Sequence, residues 1–160
     1  NRSGGAMLDL HIHDTDFVQH VFGIPDEVFS RGVIGPSGDY DHTVTQYLYN
    51  DQKVVTAEGG WIMAPEFGFE MSFKIMLEDA TLLYSSAQQP TLKICPKAGE
   101  MIIPEVEDGD GYSFEIQHFV DLISGKSLQS VITPEQSADS VKIIEAEKES
   151  VRQRTKIQLK

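Results

Sequence analysis

Hydrophobic and polar positions change their spacing twice along the 160 residues. Residues 5 to 22 follow a helical period, and Gly23 and Pro25 sit where such a helix stops and cannot resume. At about 100° per residue, Met7, Leu10, Phe17, Val18 and Val21 share one broad side of that helix. Asp9, His13, Asp16 and His20 share a narrow sector of the other. Further on the period falls to two. Phe69, Met71, Phe73, Ile75 and Leu77 alternate with Glu70, Ser72, Lys74 and Met76, the clearest strand in the chain. Shorter strands are predicted at 27–33, 42–49, 54–58, 81–84, 91–95 and 100–103, divided by turn signals such as Asn50-Asp51, Glu78-Asp79 and Lys97-Ala98-Gly99. The helical period then returns. Ile116, Phe119, Val120 and Ile123 form a stripe that Gly125 ends, and Thr133-Pro134-Glu135-Gln136 carries a capping box with proline at the first helical position. That helix runs through Ala138, Val141 and Ile144, and 155–159 reads as a last strand.

Connections this short favour antiparallel neighbours. The order of elements predicts an α+β domain: a mostly antiparallel, open-faced sheet with helices packed on one face. No repeat, linker or low-complexity tract divides the chain, so one core is expected. Tyr47, Tyr49, Trp61 and Phe67 lie in or near the strands; they either complete that core or cover a partner on the second face.

A net charge of −12 argues against nucleic acid and anionic membranes as partners. The single cysteine, Cys95, has no partner for an internal disulfide, and no long apolar run or secretory signal is present in these residues, so a cytoplasmic setting is expected. Cys95 precedes Pro96 with no basic neighbour to activate it and reads as a packing residue. Glu107-Asp108-Gly109-Asp110-Gly111 resembles half a calcium loop, but Tyr112 and the glycine spacing break the pattern, leaving an acidic turn. No glycine-rich phosphate cradle or nucleophile elbow occurs.

Chemistry concentrates between Asp9 and Asp16. An aspartate one turn before a histidine can orient the imidazole or a substrate, which makes Asp9 and His13 the candidate acid-base pair. A solvated helix face with local ion pairing fits the same pattern. His11-Ile12-His13 also has the His-x-His spacing of metal-dependent hydrolases, although those place it on a strand and need more ligands than His20, His42 and His118 offer.

The run Gly4-Gly5-Ala6-Met7-Leu8-Asp9-Leu10-His11-Ile12-His13-Asp14-Thr15-Asp16 resembles the Gly-Gly-x(3)-Asp-x(3)-His-x-x-Asp motif of the glucose-fructose oxidoreductase and inositol dehydrogenase (Gfo/Idh/MocA) family. Residues 112–119, 123–126, 133–138 and 145–150 resemble the usual end of those enzymes in order and spacing. The resemblance implies the C-terminal substrate and oligomerisation domain over residues 1–160, without the N-terminal Rossmann domain that binds NAD or NADP and without the Glu-Lys-Pro motif. It implies hydride transfer at a sugar, inositol or similar polyol hydroxyl or ketone in the full-length parent, with His13 as general acid-base and Asp9 hydrogen-bonding the substrate and His13. It gives no catalytic role to Asp16, which is expected to be structural, or to His20. The chain alone is expected to be inactive, to hold no cofactor or metal, and to form a homodimer or homotetramer. The alternatives are a stand-alone binding or oligomerisation module, and a metal-dependent hydrolase using His11 and His13.

Overall fold

The computed structural model describes residues 3–159. The helix expected over 5–22 is two helices, α1 (Gly5–Asp9) and α2 (His11–Phe22), because Leu10 leaves helical geometry at φ −120° and ψ −58°. The remaining elements are β1 (Glu27–Ile34), β2 (Tyr40–Leu48), β3 (Val55–Gly60), a short 3-10 turn at Pro65–Phe67, β4 (Ser72–Met76), β5 (Ala80–Ser85), β6 (Leu92–Pro96), α3 (Gly111–Ile123), α4 (Pro134–Gln153) and β7 (Ile157–Gln158).

These elements gather into two compact units where the sequence predicts one core. One unit runs to Met63 and resumes at Ser130; the other is Ala64–Gln129. In the first, the strands lie in the order β3-β2-β1-β7, with every pair antiparallel. Strand alternation sends Val28, Ser30, Asp41, Thr43, Thr45, Tyr47 and Val55 to a buried face. Helices α1, α2 and α4 pack against this sheet. Its core is Val18, Val28, Tyr47, Val55 and Ile143, with Phe22, Tyr49, Ala57, Ala146, Ile157 and Leu159 around it. The opposite face keeps Arg31, Val33, Val44, Gln46 and Glu58 exposed, as an open-faced sheet requires.

The second unit holds the antiparallel sheet β4-β5-β6. Phe73 pairs with Tyr84 and their rings stack at 5.4 Å. The long strand expected over 69–77 shortens to β4: at Met71 the pairing passes to Ser86, whose hydroxyl receives the Met71 N–H at 2.9 Å. Residues 100–103 make a single bridge, Ile94 to Ile102, instead of a strand. Of the four aromatic residues singled out above, Tyr47 is core and Tyr49 packs beside it, whereas Trp61 and Phe67 are exposed.

Candidate functional site

The first turn of the fold is glycine by necessity. Gly5 has φ +78°, and a Cβ there would stand 2.8 Å from Asp39 Cβ and from the Tyr40 carbonyl oxygen. This close approach seats α1 on β2. Asp41, fully buried on β2, completes the seat: its carboxylate accepts from the Ser37 N–H at 2.8 Å, from the Ser37 hydroxyl, from the Trp61 side chain and from the Ala6 backbone N–H at the start of α1. Desolvation alone would raise its pKa, but these donors together hold it below the ordinary carboxylate value.

Helix α2 is held differently. Its buried residues are His11, Thr15, Val18 and Gln19, three of them polar. This corrects the sequence expectation, since Phe17 and Val21 stay partly exposed while His11 and Thr15 turn inward. The His11 ring lies between two carboxylates: Nδ1 is 3.0 Å from Asp14 Oδ2, and Nε2 is 3.1 Å from Glu147 Oε2 on α4. The second contact is an ion pair that lacks hydrogen-bond alignment. Burial pulls the His11 pKa down, but the Asp14 hydrogen bond and the Glu147 carboxylate outweigh it and raise the value to about 9. His11 is therefore a cation at neutral pH.

Glu147 is itself fully buried, and each of its oxygens accepts a hydrogen bond. Thr15 donates to Oε1 at 3.1 Å and Thr45 to Oε2 at 3.0 Å. Because each threonine spends its proton there, the Tyr47 hydroxyl donates to Thr15 at 3.0 Å and the Ser30 hydroxyl to Thr45 at 2.8 Å. Burial, with the Glu147 charge second, pushes the Tyr47 phenol well above its ordinary value, keeping it a donor. One polar network thus joins α2, α4, β1 and β2. Against it, Gly59 of β3 leaves no room for a side chain: a Cβ would lie 2.7 Å from Asp14 Oδ2 and 2.8 Å from His11 Nδ1.

The candidate pair lies outside this network. Asp9 ends α1 and His13 sits in the first turns of α2, both exposed, and the break at Leu10 interrupts the i, i+4 geometry; no hydrogen bond joins their side chains among the described residues. Asp16 accepts from the Ser140 hydroxyl at 2.6 Å, a contact between α2 and α4, and His20 is exposed. His11 and His13 do not converge, since one faces inward and the other outward, and among the described residues no group of three or more His, Cys, Asp or Glu side chains is arranged to hold a metal ion. Asp110, in the acidic turn, caps α3 through the Ser113 N–H at 2.7 Å. No helix among the described residues is long and apolar enough to cross a membrane.

The sequence offered His11 only as a metal ligand beside His13; its buried place between carboxylates, and Glu147 altogether, were missed. The available signal was Glu147 itself, which continues the spacing of Ile143 and Ile144 on the buried side of α4.

The GFO/IDH/MocA C-terminal domain profile matches residues 1–83. No curated protein matches the chain. Among solved structures, a UDP-N-acetylglucosamine 3-dehydrogenase from Acidithiobacillus ferrooxidans is similar at 17% identity and TM-score 0.77, covering 92% of this chain and 47% of its own. The WlbA dehydrogenase from Bordetella pertussis, solved with NADH and UDP-GlcNAcA, is similar at 15% identity and TM-score 0.73, with 99% and 46% covered. A levoglucosan dehydrogenase in complex with NADH and levoglucosan gives 16% identity and TM-score 0.78, with 98% and 50% covered. The chain spans about half the length of these structures, and the likeness is one of fold.

Proposed function

Because the chain belongs to the GFO/IDH/MocA family through its C-terminal domain, we propose that it forms the substrate-side half of a nicotinamide-dependent oxidoreductase acting on a sugar, inositol or related polyol. The observation that carries this reading is the contrast between two neighbouring imidazoles. His11 is sealed between carboxylates, whereas His13 faces outward with no hydrogen bond or ion pair among the described residues. Oxidising a carbinol requires removal of its hydroxyl proton, and reducing a ketone requires returning it. Histidine is the side-chain type suited to both directions near neutral pH. In this reading His13 holds that proton, and Asp9 orients the hydroxyl from the neighbouring helix end.

The residues of this chain do not fit a dinucleotide. A pyrophosphate site of the βαβ kind needs a parallel strand pair and a glycine-rich helix start. Here every strand pair among the described residues is antiparallel, and the first turns of α2 and α4 carry Asp14 and Glu135. NAD or NADP is therefore proposed to bind a Rossmann domain elsewhere in the full-length protein. The proposed assembly is a cytoplasmic homodimer or homotetramer, and a strict monomer in light scattering at high concentration would count against it.

His13→Ala in the full-length protein tests the central claim. Turnover should fall about a hundredfold or more, with dinucleotide affinity little changed. Asp9→Asn should also impair turnover, and His20→Ala should have a much smaller effect. Near-normal turnover and pH dependence in His13→Ala would reduce the exposed residues of α2 to a solvated face.

A further inference from the structure

The first turns of α2 are anchored by charge and hydroxyl groups, through His11 and Thr15, while Val18 and Phe22 give its second half an apolar anchor. A buried ion pair is seldom the most stabilising filling for such a space, since well-packed apolar residues of similar volume often do as well or better. What directional contacts supply is orientation. Apolar packing tolerates small rotations of a helix, whereas Thr15 of α2 must meet both Glu147 and Tyr47, Glu147 is fixed in turn by Thr45, and the His11 ring, held by Asp14 of its own helix, stands 3.1 Å from the same carboxylate. Gly59 closes the remaining side against the His11–Asp14 pair.

We propose that His11 and Glu147 are positioning residues that set the rotation of α2 and thereby the place of the His13 imidazole. This inference rests on the reading of His13 as the proton carrier. The geometry makes the effect large. A side-chain head about 5–6 Å from the helix axis moves about 1 Å for a rotation of about 10°. A displacement of that size is enough to cost about a hundredfold in a positioned reaction. His13 is two residues from His11, on the far side of the same turn, so any slack at the buried pair reaches it directly.

Two variants of the full-length protein separate positioning from stability. Glu147→Gln keeps the shape and one acceptor oxygen, removes the charge that meets His11, and turns the second acceptor into a donor. The double variant His11→Leu with Glu147→Met replaces the pair by apolar groups. Both should lose tenfold or more in kcat while dinucleotide affinity stays within twofold, and the double variant should do so with its thermal midpoint retained or raised. A folded double variant of normal kcat would overturn the proposal, as would normal kcat in Glu147→Gln if the double variant does not fold. His13→Ala, run alongside, distinguishes the two levels. Full turnover there removes the underlying reading and this inference with it; lost turnover there with normal kcat in the pair variants removes this inference alone.

Discussion

His11 is the residue whose environment says most about the molecule. Its folded pKa of about 9 lies above the ordinary 6.5, so the proton is held more tightly in the native state than in the unfolded one. The sign follows: the stabilisation is complete below pH 6.5 and is lost as the pH rises through 9. The groups facing the ring are Asp14 from α2 and Glu147 from α4, with the Tyr47 phenol of β2 reached through Thr15. Tyr47 remains protonated through this window because burial and Glu147 raise its pKa well above 10.0. Urea unfolding of the 160-residue chain between pH 6 and 9.5 should therefore show falling stability. His11→Gln should flatten that slope; an equal slope in the variant would assign the loss to other groups.

At the scale of elements, what the sequence revealed and what it hid divide by chemistry. The start of α4 was legible because a capping box is a local code. Thr133 Oγ1 accepts from the Gln136 N–H at 3.2 Å, Gln136 Oε1 accepts from the Thr133 N–H at 2.8 Å, and Pro134 takes the position where no N–H is needed. Thr133→Ala should cost about 1 kcal/mol in denaturant unfolding, and a loss too small to measure would mean that tertiary contacts alone hold the helix end. Strands β1, β2 and β3 were legible for a similar reason, since alternation and turn residues are near in sequence. The inward face of α2 was not. Hydrophobic spacing puts Phe17 and Val21 inside, and the structure puts His11 and Thr15 there because their partners, Glu147 and Tyr47, arrive from far along the chain. The break at Leu10 was hidden too: it separates α2 from an α1 that is seated on β2 through Gly5 and Asp41, a long-range fit with no local signature.

For the whole molecule, the division of labour proposed above has a direct consequence for this chain in isolation. A dinucleotide brings a pyrophosphate carrying negative charge, and the protein carries a net charge of −12. Attraction would have to come from a local cradle of backbone N–H groups at a helix start. The start of α1 is already used, since the Ala6 N–H gives its hydrogen bond to Asp41 and Gly5 is closed in by Asp39 and Tyr40. The start of α4 is used as well, its Gln136 N–H being taken by Thr133. With a net charge that repels a pyrophosphate and these N–H groups already engaged, the isolated chain should show no micromolar binding of NAD(H) or NADP(H) in titration calorimetry at physiological salt. Joining it to the proposed dinucleotide domain should give binding at that domain without help from His13. Micromolar binding to the isolated chain would mean that this half holds the cofactor itself, and the assignment of His13 to the proton and of the other domain to the nicotinamide would have to be redrawn.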